Sequence, residues 1–215
     1  MSQQEDPYKG EGAVHYAAHH DKSTRNRLTT KRERAVLKSA LDSVGNVDTV
    51  LDLPCGTGRF WPVFEAAGVK HLIAGDMSLA MLEVAASHPP AIAQFEHHQL
   101  NGFEIDLPDK AVDFISSQRF FHHLSYATDR MQALSEIHRV SRSYAAISLW
   151  VDGNIQSRRY LGKSTENNDR GYGRRICRRS VDVEAEFTEA GFDILQHYDV
   201  WPLLTMWRLY LLKIR

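Results

Sequence analysis

Val50-Leu51-Asp52-Leu53-Pro54-Cys55-Gly56-Thr57-Gly58-Arg59-Phe60 is the stretch whose reading decides the fold. Thr49 to Leu53 is short, β-branched and apolar, and reads as a buried strand. Gly56 and Gly58 follow at once. Phe60, Trp61, Val63, Phe64 and Ala67 then give the start of a helix. The order is strand, glycine turn, helix. Glycine lets the backbone turn sharply and come close to a ligand, with no Cβ in the way. The helix starts at the same place, so its free N–H groups face the same space. A dinucleotide fingerprint would place a third glycine at position 61, which is Trp, and this counts against a pyrophosphate site.

The flanking chain continues the alternation. A helix is expected from about Lys31 to Val44, with Val36, Leu37, Ala40, Leu41 and Val44 on one stripe and Gly45 as its stop. Gly68 closes the helix after the glycine turn, and His71 to Ala74 starts a second strand. Ser78 is a suitable N-cap for a helix carrying Met81, Leu82 and Ala85, which Pro89-Pro90 ends. A third strand is expected within Ala91 to His97 and a fourth over Val112 to Ser116. A helix over Thr128 to Ser141 points Met131, Leu134, Ile137 and Val140 inward. Tyr144 to Val151 is a fifth strand. Residues 152–179 are poor in apolar side chains and read as a long basic loop or lid. Ser180 caps a helix with Val183, Phe187 and Ala190 on one face. The tail from Asp193 to Arg215 supplies two last strands around Pro202. Strands alternating with helices argue for a parallel α/β sheet.

Composition sets the outer bounds. The chain has 215 residues, 43% apolar and 25% charged, which fits one globular domain with a sizeable core. No run of 18 apolar residues suggests a membrane-spanning helix, and Met1 to Gly10 is polar. Cys55 and Cys177 do not make a disulfide framework, so a reducing cytoplasm is the expected location. The net charge of −1 conceals a segregation. His19 to Lys38 carries +5 and Arg158 to Arg179 carries +6, leaving −12 on the rest.

Two carboxylates stand beside the glycine turn. Asp52 precedes it and is placed to help hold a cationic amino group, directly or through water. Asp76 follows the second strand in Gly75-Asp76-Met77-Ser78, where an acidic side chain can accept bonds from both ribose hydroxyls of an adenosine. As plain structure, Asp52 would brace the turn and Asp76 would be a favourable charge at a helix N-terminus.

These elements, in this order, resemble the class I S-adenosylmethionine-dependent methyltransferases. Leu51 to Gly58 is similar to the family's first motif, with Pro54 where glycine or alanine is commoner. Gly75-Asp76-Met77-Ser78 with Met81-Leu82 is similar to the second. Leu107-Pro108, Val112-Asp113-Phe114-Ile115 and Phe121-His122-His123-Leu124 resemble the approach to the fourth strand and the segment after it. The resemblance covers residues 47–150 well. It implies a doubly wound, Rossmann-like sheet of seven strands, helices on both faces, the last strand antiparallel. It also implies S-adenosyl-L-methionine as cofactor and a single methyltransferase domain over 31–215, while the Gly-, Gln- and His-rich composition at the start of the chain gives a partly ordered extension over 1–30. Asp52, Pro54, Cys55, Gly56, Thr57 and Gly58 would line the cofactor, with Asp76 and Met77 at the adenosine. The family often has Asp after the third strand; here Asn101, Gly102 and Phe103 stand in that region for the adenine. Ser117 and Gln118 would lie near the methionine moiety through their backbone carbonyls.

The remaining chemistry is the transfer. A base is needed only where the acceptor must lose a proton early, and histidine suits that near neutral pH. His123, with His122 beside it, follows the fourth strand on the rim where the methyl group belongs, although either could equally be a packing residue. Eleven histidines invite a metal, but no ligand spacing supports one and none is expected. Arg174, Arg175 and Tyr172 in the basic loop are the candidate acceptor contacts, since arginine is a bidentate partner for carboxylate and phosphate. The expected function is O- or N-methylation of a small or medium-sized anionic metabolite. The alternatives are an RNA methyltransferase, for which no Asn-Pro-Pro-Tyr-like motif follows the fourth strand, and a non-catalytic cofactor-binding protein.

Overall fold

The structure is a computed structural model, and it describes residues 24–159 and 176–215. Helix α1 (Thr24–Val44) leads into β1 (Thr49–Asp52), the glycine turn and α2 (Trp61–Ala66). Then come β2 (His71–Asp76), α3 (Leu79–Ala86), β3 (Gln94–Gln99) and β4 (Val112–Ser117). A 3-10 turn (Phe121–His123) precedes α4 (Ala127–Val140) and β5 (Ser141–Val151). The short β6 (Cys177–Arg178), α5 (Ser180–Glu189), β7 (Phe192–Asp199) and β8 (Trp207–Ile214) complete the chain.

The sheet runs β3-β2-β1-β4-β5-β8-β7, and β8 is antiparallel to both β5 and β7. Seven strands therefore lie on this path, as expected. The two-residue β6 beside β5 adds an eighth, too short for a sequence pattern to reveal. Burial alternates with the pleat. Val50, Leu72, Phe114, Ala146 and Leu211 face a core built with α1, α2 and α3. Leu51, Ile73, Ile115, Ile147 and Leu212 face the other, built with α4 and α5. A strand buried on both faces cannot show a polar period, which is why each read as an apolar run.

Several boundaries differ from expectation. Helix α1 starts seven residues earlier, at Thr24, although Thr and Asn in its first turn are not favoured there by propensity. Strand β3 is shifted to Gln94–Gln99 and is largely exposed at the sheet edge. Ser180 is the first residue of α5, and Arg179 is its N-cap. Ser78 caps α3 as expected, its hydroxyl accepting from the Met81 N–H at 3.3 Å. In α4, Arg130 is 2% exposed whereas Met131 is only partly buried. The Arg130 guanidinium bonds Glu186 of α5 and the Leu124 and Ser125 carbonyls. Arg178 of β6 reaches the same Glu186, so one carboxylate ties α4, α5 and β6.

The carboxyl ends of β1, β2 and β4 thereby come to one edge. In a parallel sheet this is where ligands bind, because helices open away from the strands there.

Candidate active site

The turn after β1 is held from the neighbouring strand. Cys55 N–H donates to the Gly75 carbonyl at 2.7 Å, and Gly58 N–H donates to the Cys55 carbonyl at 3.1 Å. Gly56 and Gly58 have φ of 55° and 75°, the left-handed region where a Cβ is costly. The two differ in surroundings. A Cβ on Gly58 would lie 2.6 Å from Cε3 of Trp61, whereas one on Gly56 would point into open space. Gly58 thus serves the packing of the turn. Gly56 presents bare backbone to the edge where a ligand approaches.

Asp76 closes the turn against α3. One carboxylate oxygen accepts from Gly56 N–H and the other from Ser78 N–H, each at 2.9 Å. An ionised carboxylate only accepts, so Asp76 presents an acceptor where β2 ends beside the glycine turn. Met77, next in sequence, is 42% exposed, an apolar surface of the kind an aromatic base covers. Its carbonyl accepts from the Gln99 side chain at 2.9 Å.

Asp52 lies beneath the turn and is fully buried. Burial raises its pKa to about 7 and the Asp76 charge adds to this, although the Ser116 hydroxyl and Trp61 indole N–H draw it down. Neither neighbour completes a well-shaped hydrogen bond. Both Asp52 oxygens, Ser116 Oγ, Ser117 Oγ and Trp61 Nε1 are buried polar atoms without a partner. Such groups cost free energy unless a ligand serves them. An anionic acceptor under an open backbone turn suits an ammonium group, so these residues fit an adenosine that carries a free amino acid, such as S-adenosylmethionine.

The other expected site residues gather around this edge. Pro54 follows a cis Leu53–Pro54 bond and is half-buried, as is Thr57. Cys55 is buried, and desolvation pushes its thiol well up, so it is no nucleophile. The Asn101 side-chain oxygen accepts from Phe103 N–H at 3.0 Å, a local turn that fixes the loop after β3. Gly102 sits against Phe120, whose ring would be 3.2 Å from a Cβ there. Gln118 is buried, and its amide donates to the Ala146 carbonyl at 3.1 Å, anchoring the loop after β4.

The two histidines part company. His122 is 3% exposed. Its ring stacks on Trp150 at 5.3 Å and meets Trp207 edge-on at 4.9 Å. His123 is half-buried, with its ring centroid 4.0 Å from that of His122. Of the pair, His123 is the more exposed. Tyr172, Arg174 and Arg175 lie outside the described residues. Among the described residues no group of three or more His, Cys, Asp or Glu side chains is arranged for a metal. No helix there is long and apolar enough to cross a membrane.

Sequence pattern missed a charged cluster at the same edge. Arg119, two residues past β4, bonds Glu33 of α1 at 2.8 Å, and Arg59 from the glycine turn lies 3.2 Å from the same carboxylate. No periodicity links these residues, since the contact is between segments far apart in the chain.

The fold is shared with solved methyltransferases. A magnesium protoporphyrin IX methyltransferase from Synechocystis, solved with S-adenosylhomocysteine, aligns at a TM-score of 0.70 and 12% identity over 97% of this chain and 96% of that one. An S-adenosylmethionine-dependent methyltransferase from Clostridium acetobutylicum aligns at 0.69 and 14% identity over 94% and 98%. At these identities the likeness is one of fold. In sequence, residues 51–148 match the methyltransferase domain family. An uncharacterised methyltransferase of Schizosaccharomyces pombe is 29% identical over 107 residues, 50% of this chain but only 40% of that protein. Residues 51–148 therefore carry a methyltransferase domain, in a chain whose fold is that of S-adenosylmethionine-dependent methyltransferases.

Proposed function

We propose that the protein transfers the methyl group of S-adenosylmethionine to an oxygen or nitrogen of a small or medium-sized acceptor. The observation that carries this reading is the Asp76 carboxylate, bonded to Gly56 N–H and Ser78 N–H beside exposed Met77, above buried Asp52. Asp76 would take the ribose hydroxyls, Met77 and the Asn101–Phe103 loop the adenine, and Asp52 the amino group. The bound donor supplies a sulfonium-activated methyl carbon. The protein holds acceptor and donor in line and keeps water out, which can remove roughly 7–11 kcal/mol of barrier. His123 would accept the proton of an acceptor that must lose one.

An anionic acceptor is the substrate class we favour. The support is the basic content of 152–179. The test is titration with S-adenosylhomocysteine by calorimetry, followed by labelled methyl transfer into fractionated cell extract with mass spectrometry of the labelled products. Micromolar binding and a labelled anionic small molecule support the reading. Label found only in RNA overturns the acceptor class, and absence of binding overturns the donor site.

A further inference from the structure

The Glu33 carboxylate joins three segments that the sheet alone does not join. It is 6% exposed in the middle of α1. Arg119 reaches it with Nε at 3.0 Å and Nη2 at 2.8 Å to Oε1, and with Nη2 at 3.0 Å to Oε2. Arg59 Nη2 lies 3.2 Å from Oε2. Arg59 follows the second glycine of the turn, and Arg119 follows Gln118 after β4. These two loops flank the carboxyl ends of β1 and β4, where Asp52 pairs with Ser116 in register.

Both arginines are held further. The Arg59 carbonyl accepts from Arg34 Nε at 2.7 Å, so α1 grips the turn by backbone as well as side chain. Arg119 has φ of 59°, a left-handed backbone in a residue with a Cβ. Its N–H donates to Ser148 Oγ at 2.9 Å, and its guanidinium lies 4.7 Å from the centroid of the Trp207 ring. A conformation of this kind persists only where its surroundings over-determine it. Stability does not explain the arrangement, because apolar side chains would dock a helix at least as well as a buried charge cluster.

We propose that Glu33 is a positioning residue for donor binding: through Arg59 and Arg119 it sets the glycine turn and the loop after β4 as one unit. Helix α1 is then part of the donor site without adding a strand or a motif to it. The inference rests on the donor site proposed above.

Calorimetric titration with S-adenosylhomocysteine, well below the unfolding temperature of each variant, tests it. Glu33→Gln is expected to lower affinity about tenfold. Arg119→Lys keeps the charge but loses the planar fork, and is expected to lose a similar amount. The double variant should be little weaker than either alone, since the two residues act as a unit. Leu37→Ala, which loosens the buried face of the same helix, should lower the unfolding temperature and leave affinity unchanged. Wild-type protein that does not bind overturns the donor site and this role together. Wild-type binding with unchanged affinity in Glu33→Gln, or an equal loss in Leu37→Ala, overturns the positioning role alone.

Discussion

Asp76 accepts a hydrogen bond from the Gly56 N–H at 2.9 Å, so the acid at the end of β2 fixes the glycine turn that follows β1. The bonds that brace the turn also fix the orientation of the carboxylate, so the ligand role proposed for Asp76 would use the same arrangement.

Asp76→Ala is expected to show both effects. It removes two charge-assisted bonds to backbone N–H groups, at a cost of about 2–4 kcal/mol in stability. S-adenosylhomocysteine affinity should fall by at least about tenfold at a temperature where the variant is folded. Calorimetry and thermal unfolding measure the two separately. Unchanged affinity in a destabilised variant would leave Asp76 as a brace only.

Asp52 makes ligand binding depend on pH. Its pKa stands near 7 because its carboxyl is buried without a completed hydrogen bond. An ammonium brought beside it favours the ionised form, so binding below about pH 7 should release a proton. Titrations in buffers of different ionisation enthalpy read that release directly. Affinity should rise between pH 6 and 8 and level off above. The linkage to stability has the opposite sense. The folded-state pKa is raised from the ordinary carboxylate value of 3.8. Its favourable contribution is complete below that value and is lost as pH rises to about 7. Asp52→Asn should therefore stabilise the free protein at pH 8, change it little at pH 4, and flatten the pH dependence of binding. Proton release that persists in Asp52→Asn would assign it to another group.

The parts of this site that were legible in the sequence are those written in local pattern. Glycines at 56 and 58, an acid at the end of two successive strands and a serine cap at 78 each follow from a few adjacent residues. The order of strands and helices was legible for the same reason. What local pattern does not carry is pairing at a distance. Arg130 sits on a helix face that reads as polar at that position, yet it is buried because Glu186 and two carbonyls satisfy it. Glu33 and Arg119 look like ordinary surface charges until the fold places them 2.8 Å apart. His122 and His123 are indistinguishable as neighbours in sequence, and only the turn after β4 sends one into an aromatic cluster.

The two glycines of the turn should separate binding from folding. Gly58→Ala meets Trp61, whose ring is part of the core, at 2.6 Å, on a backbone that already disfavours a side chain. It should cost about 2–3 kcal/mol of stability, combining overpacking with left-handed strain. At Gly56 a Cβ meets no protein atom within 4 Å, so the stability cost of Gly56→Val is chiefly left-handed strain, about 1–2 kcal/mol. Its side chain would occupy the open approach, and S-adenosylhomocysteine binding should be lost. Retained binding in Gly56→Val would mean that the ligand does not lie against this turn.

The histidine pair divides in the same way. His122 is wedged between Trp150 and Trp207, and its carbonyl accepts from Ile176 N–H at 2.8 Å. His122→Ala should leave a cavity among large rings and destabilise by about 3 kcal/mol, seen as a lower midpoint in denaturant. His123 is only half-buried, so His123→Ala should shift that midpoint little. Once the assay has identified an acceptor, His123→Ala should lower its methylation about a hundredfold if the acceptor must be deprotonated. The pH–rate profile should lose its lower limb while S-adenosylhomocysteine affinity stays the same. An unchanged profile in His123→Ala would show that the acceptor reacts through a lone pair already free at neutral pH, and would remove the base from the mechanism.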